Sequence, residues 1–220
     1  MEVCKPIIQA YVRGSSPGHA SPYQEMPWRS SLTCFIIVGE LTQKLIIPIP
    51  MLRRVDLPES LSNAGFGRLF LSAMPGRYSP LEESVDELNR EDVKLILCLV
   101  HDEEIEKKSP RYRAALDGKQ IPAEVAQFPI RDFGVPGDPQ AFVSALKRVL
   151  SRCRSGESWV IHCGAGHGRT GIAAIVLLWL AGLDSEKAQS IVERAGSGPD
   201  TEKQQEFLRA LFDSFGDQRP

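Results

Sequence analysis

Apolar positions along this chain switch repeatedly between the period of a strand and that of a helix. Val93–Val100 is a nearly unbroken apolar run, the pattern of a strand buried on both faces. Arg68–Ser72, Glu124–Ile130 and 157–162 read as further strands. Between them the spacing turns helical. Ser79-Pro80-Leu81-Glu82 has the form of a capping box opening a helix to about residue 91. Phe142, Ala145, Leu146, Val149 and Leu150 share one face of a helix over 139–154, with Asp138 as its N-cap and Pro139 as its first residue. A helix over 169–182 carries the apolar stretch Ile172 to Leu183, too short to span a bilayer and better buried. Asp184 caps a helix to about residue 195, and 201–215 forms a last one. Strands alternating with helices predict an α/β fold: a mostly parallel central sheet flanked by helices, with its site beyond the strands' carboxyl ends.

The first sixty residues differ. Residues 11–30 are rich in Ser, Pro and Gly and read as a loose arm. Cys34–Val38 and Leu45–Ile49 read as two strands, a hairpin expected to pack on the core, with Pro48 favouring an edge. The expected division is an extension over 1–60 and one globular unit over 61–220. At 220 residues, 42% hydrophobic and 25% charged, the composition is that of an ordinary globule. A net charge of −2 gives no reason to expect a nucleic-acid partner or a polybasic membrane anchor. The start Met1–Pro6 lacks the apolar core of a signal peptide. Five cysteines without framework spacing suit a reducing cytoplasm.

Candidate chemistry concentrates at Trp159-Val-Ile-His-Cys-Gly-Ala-Gly-His-Gly-Arg-Thr-Gly171. Cys163 ends a strand run and a helix run follows. Gly164, Gly166 and Gly168 permit a tight curl, so the amides of residues 164–169, Ala165 and His167 among them, are expected to form an anion nest. The positive end of the following helix favours an anion there, a Cys163 thiolate included. Arg169 supplies a planar fork for two phosphate oxygens. Thr170 is placed to hydrogen-bond the sulfur. The bland alternative, a structural cysteine in a strand–helix turn, leaves the alternating glycines and the arginine without a purpose.

His162-Cys163-x5-Arg169-Thr170 resembles the signature of the cysteine-based protein tyrosine and dual-specificity phosphatases. Asp132-Phe133-Gly134-Val135-Pro136 resembles their acid loop, with Asp132 as the proton donor. Asp138 is the rival and is assigned to structure. The resemblance covers roughly 65–215. Gly67–Gly76 and Gly196-Ser-Gly198 look most like kinase-associated-phosphatase-like dual-specificity members. It implies attack on phosphorus by Cys163, a proton from Asp132, and hydrolysis of the phosphocysteine by water. No metal or cofactor is implied, and His19, His101, His162 and His167 are dispersed. His162 is expected to be buried and to hold the loop, and His167 to stand at the pocket rim.

Departures bear on substrate. The tyrosine-slot loop of tyrosine-specific members has no counterpart. Of their late glutamine pair only Gln204 can be proposed to position water, since Asp200 stands at the other place; an exposed helix residue is the alternative. Gly164 and His167 stand where phosphoinositide phosphatases often carry lysines. The expected activity is therefore on phosphoproteins, at phosphotyrosine, phosphoserine or phosphothreonine. The alternatives are a non-protein substrate, such as an inositol phosphate, a phosphoinositide or an RNA 5′-triphosphate, and a non-catalytic phospho-binding module. Cys98, late in a neighbouring strand, reads as a buried inert thiol, with a Cys98–Cys163 disulfide as the alternative.

Overall fold

The computed structural model describes residues 51–215 together with two strands nearer the amino terminus, β1 (Cys34–Val38) and β2 (Leu41–Leu45). The chain divides into two units, Met1–Ile49 and Pro50–Pro220. In the first, β1 and β2 pair antiparallel with Cys34 opposite Leu45. The second strand therefore ends where the sequence reading begins it. Residues 46–49 and the arm at 11–30 lie outside the described residues.

The second unit is built on five strands: β3 (Arg53–Arg54), β4 (Leu69–Ser72), β5 (Val93–Cys98), β6 (Glu124–Gln127) and β7 (Ser158–His162). Their order is β3-β4-β7-β5-β6, parallel throughout except for β3, which pairs antiparallel with β4. The expected α/β architecture is thus the observed one. Leu52, Val55 and β3 belong to this unit, so it starts earlier than residue 61.

Side-chain alternation sorts the sheet's two faces. Leu69, Leu71, Leu95, Leu97, Trp159 and Ile161 join the larger apolar cluster. Phe70, Ile96 and Val160 form the smaller one with Leu88 of α2 (Leu81–Arg90). The helices include α1 (Glu59–Asn63), α3 (Asp102–Lys108), α4 (Pro110–Asp117) and α5 (Pro139–Cys153). They continue with α6 (Gly168–Leu180), α7 (Ser185–Arg194) and α8 (Glu202–Phe215). Every residue of α6 is buried, and α5, α7 and α8 pack around it. Among the described residues no helix is long and apolar enough to cross a membrane.

Two caps behave as the spacing predicts. Asp138 accepts from the Ala141 N–H at 2.9 Å and Asp184 from the Lys187 N–H at 2.7 Å. The capping box at Ser79 does not form, because Pro80 takes the N-cap position of α2 without a side-chain bond. Short elements β3, α1, α3 and α4 escape the sequence reading; α3 and α4 carry residues that hold the site.

Candidate active site

β7 is flanked on both sides by parallel strands, so its carboxyl end is a fixed point. Cys163 follows it, 3% exposed, and the backbone curls into α6. The Gly166 N–H donates to Cys163 Sγ at 3.2 Å. Gly166 has φ +80, and a Cβ there would stand 2.6 Å from the Ser72 backbone, so both conformation and space demand glycine. Gly164 and Gly168 do not adopt positive φ. They are crowded instead by side-chain tips, Gly164 by Glu104, Arg77 and Arg169, Gly168 by Asp200 and Gln204. The Gly168 N–H is already committed to Asp200 Oδ2 at 2.7 Å, which corrects the expectation that every amide of 164–169 turns toward the anion.

Arg169 is 2% exposed and shows how one guanidinium serves several partners. Its end-on fork grips Glu104, Nη1 to Oε2 at 2.8 Å and Nη2 to Oε1 at 3.0 Å. Nη1 also donates to the Ile130 carbonyl at 3.0 Å, and Nη2 to Asp132 Oδ1 at 2.7 Å. Four terminal N–H groups are thereby engaged, leaving Nε–H. If Asp132 withdraws, Nη2 and Nε present a second, side-on fork. Burial alone would push the Glu104 carboxyl up, but Arg169 and Lys108 outweigh it and hold it down at about 2. Burial opposes the charge of Arg169 and of Lys108 too, and their carboxylate partners reverse this, raising both.

Asp132 lies in the same cavity of about 100 Å³ as Cys163, Ala165, His167, Gly168, Arg169 and Gln204. Its other oxygen takes Lys108 Nζ at 3.0 Å. Phe133 beside it has φ +57, a conformation strained for a bulky residue, and is 67% exposed. Gln204 is not an exposed helix residue: it is fully buried. Its Nε2 donates to the Gly134 carbonyl at 3.0 Å, and its Oε1 accepts from the Asp200 N–H at 2.7 Å, tying the acid loop to the turn before α8. The Thr170 hydroxyl is buried without a hydrogen-bond partner among the described residues, so the expected bond to the Cys163 sulfur is not made.

His162 is buried, as expected. Nδ1 lies 3.3 Å from the Cys163 carbonyl and Nε2 3.1 Å from the Tyr112 hydroxyl. A carbonyl only accepts, so Nδ1 carries the proton and Tyr112 donates to Nε2. Burial pulls the imidazole down to about 4, keeping it neutral. His167 Nδ1 meets the Gly196 carbonyl at 3.1 Å, and burial, then Arg53, lower this ring as well. Burial raises the Cys98 thiol to about 12, which leaves little thiolate for a disulfide with Cys163.

Three residues went unnoticed in the sequence. Arg53 on β3 donates to the Gly196 carbonyl at 2.6 Å and, more closely, to the Gly166 carbonyl. Glu104 and Lys108 on α3 organise Arg169 and Asp132. A signal for α3 was present: three acids at its start and two lysines at its end match the helix dipole, and Pro110 opens the next helix. Arg53 had none, since a two-residue edge strand leaves no periodicity. Among the described residues no group of three or more His, Cys, Asp or Glu is placed to hold a metal ion.

The family described as Swiss Army Knife protein, DSP-PTPase phosphatase domain (PTP-SAK) matches residues 71–214, more than half of the chain. Over 91 residues, 40% of this chain, it is 40% identical to "Putative tyrosine phosphatase 197R" of Invertebrate iridescent virus 6. That stretch is 34% of the viral protein, so the chain spans about a third of its length. Tk-PTP in its active form is 27% identical, with a TM-score of 0.56 over 74% of this chain and 97% of that one. Kinase associated phosphatase with its catalytic-site cysteine replaced by serine shares the fold at 22% identity, with a TM-score of 0.63 over 77% and 98%. PTPMT1 in complex with PI(5)P shares it at 15%, with a TM-score of 0.57 over 78% and 100%.

Proposed function

The chain belongs to the DSP-PTPase phosphatase family, a cysteine-based phosphatase by fold, and from that premise we propose that it dephosphorylates proteins in a reducing cytoplasm. The observation that carries the reading is the meeting of Cys163, Arg169 and Asp132 in one cavity. An arriving phosphate takes amides of the cradle and the side-on fork of Arg169, displacing Asp132 from Nη2. The Cys163 thiolate attacks phosphorus. The S–P bond forms as the O–P bond breaks, and protonated Asp132 gives its proton to the leaving oxygen. A water then attacks phosphorus, its proton passes to Asp132, and the S–P bond breaks. Gln204 lines the cavity and keeps a second Nε2 hydrogen and a second Oε1 lone pair beyond its bonds to Gly134 and Asp200, and we assign it the orientation of that water.

Protein substrates, with dual specificity, are favoured over phosphorylated headgroups because the cradle itself carries no lysine and because a large aromatic, Phe133, stands exposed at its mouth. Free Cys98, Cys153 and Cys163 suit the compartment. The test is a panel of phosphotyrosine and phosphoserine/threonine peptides, inositol phosphates, a phosphoinositide and RNA 5′-triphosphate, ranked by kcat/KM for the wild type and Cys163→Ser. Peptides should rank first, and Cys163→Ser should lose all turnover while still retaining substrate for capture. Robust turnover by Cys163→Ser would sink the mechanism. A headgroup or RNA ranked first would sink the substrate class, and tight phosphopeptide binding with no turnover by the wild type would make the chain a reader.

A further inference from the structure

We infer that Arg77, at the lip of the cradle, is a second anion site that selects phosphopeptides with an acidic side chain next to the phosphorylated residue. The inference rests on the phosphoprotein reading and names the flank that the site recognises.

Arg77 sits on a turn that the fold holds firmly. Its N–H donates to the Met74 carbonyl at 3.2 Å, Gly76 supplies φ +71, and Ser109 Oγ donates to the Pro75 carbonyl at 2.8 Å. From this turn the guanidinium reaches into the cavity that holds Cys163 and Asp132. A Cβ built on Gly164 would stand 2.8 Å from Arg77 Nη1 and 2.9 Å from Arg169 Nη2, so two guanidinium groups converge over one cradle glycine.

Their states differ. Arg169 has its terminal N–H groups engaged. Arg77 makes no side-chain hydrogen bond or ion pair among the described residues; its contact is the Tyr78 ring, 4.7 Å from Cζ. Stacking on a ring face orients the guanidinium without using its donors. A half-buried guanidinium with idle donors at a substrate cavity calls for an anion supplied by the ligand.

That anion is not the scissile phosphate alone, for which the cradle and Arg169 suffice. Two further features favour a peptide flank. Tyr78 and Phe133, 60% and 67% exposed, are the exposed large hydrophobics among the described residues, and both adjoin this lip. A polyanionic headgroup would meet these aromatics and the carboxylates of Asp132 and Asp200 in a cavity lined by two cations, Arg77 and Arg169, the latter already engaged. The neighbouring cavity of about 270 Å³ shares His167 and Asp200 with the site, is lined also by Glu193, and has no Lys or Arg. An acidic flank therefore belongs on the Arg77 side.

The test uses three phosphopeptides that differ in one position beside the phosphorylated residue: Glu, Ala or Lys. Wild type, Arg77→Ala and Arg77→Lys are compared by kcat/KM, with folding checked by thermal melting. The wild type should prefer Glu over Ala by about tenfold, mainly through KM, since a partly exposed charge-assisted contact has that scale. The ratio should fall to near one in Arg77→Ala, stay intermediate in Arg77→Lys, and shrink with added salt for the wild type. Equal turnover of the Glu and Ala peptides by the wild type, or a preference that survives Arg77→Ala, overturns the assignment alone. Failure on every peptide, by a chain that still cleaves an aryl phosphate, overturns the phosphoprotein reading as well. Arg77-dependent turnover of an inositol bisphosphate in place of the peptides overturns the peptide assignment.

Discussion

The cradle at 163–169 and the acid loop at 130–136 meet at Arg169, and they are held in opposite ways. The cradle is buried and its backbone is pinned from outside. Arg53 and Ser197 hold the Gly166 carbonyl, His162 holds that of Cys163, and Asp200 takes the Gly168 N–H. The acid loop is buried only at its ends, Ile130 and Pro136, while Asp132 and Phe133 between them are exposed. Backbone and Arg169 bonds fix its start at Ile130, but beyond that point ion pairs of Asp132 with Lys108 and Arg169, and one bond from Gln204, hold it to the rest of the fold. An anion site works by dipoles fixed before the charge arrives. A proton donor has to release one partner and reach another, so bonds that exchange suit it better than a packed seat.

Replacing the exchanging group should have the largest effect. Asp132→Asn keeps the loop's shape and removes the proton. Turnover of an alkyl phosphate should fall about a hundredfold, in the range for one general acid. Turnover of an activated aryl phosphate, whose leaving oxygen needs no proton, should fall far less. The same loss for both substrates would mean that Asp132 positions the loop and donates no proton. Loosening the fixed side should cost less. Arg53→Met removes two bonds to the cradle and its neighbouring turn without touching the reacting atoms. It should reduce kcat/KM about tenfold for alkyl and aryl substrates alike, because it disturbs the phosphate site they share. A leaving-group dependence in Arg53→Met would erase the distinction between the two regions.

This contrast also marks what could be read in the sequence. The cradle's chemistry is contiguous, and its strand and helix have strong periods, so Cys163, Arg169 and the parallel sheet were legible. Asp132 was legible through its loop's resemblance. The partners that hold these residues come from elsewhere in the chain. Glu104 stands 65 positions from Arg169, Arg53 stands 113 from Gly166, and Gln204 reaches 70 positions back to Gly134. Side chains that meet across such separations leave no local spacing to detect. Thr170 shows the reverse: adjacency to Arg169 suggested a bond to sulfur, but inside α6 its hydroxyl is buried without one.

The last effect acts on stability rather than on rate, and it separates the two regions by pH. His162 belongs to the cradle, and burial lowers it from 6.5 to about 4. Between those values the unfolded chain takes up a proton that the folded chain refuses, so stability present above pH 6.5 is lost on acidification to about 4, up to about 3 kcal/mol. Glu104 belongs to the anchors of the acid loop. Burial opposes its charge, yet Arg169 and Lys108 bring it from 4.5 to about 2. Its contribution is complete above pH 4.5 and is lost as pH falls toward 2. Melting temperatures of the wild type, His162→Gln and Glu104→Gln across pH 2–7 read both. His162→Gln should flatten the upper limb and leave the lower; Glu104→Gln should do the opposite. The windows barely overlap, so one variant flattening both limbs would show that the two titrations are coupled and that the limbs do not belong to His162 and Glu104 separately.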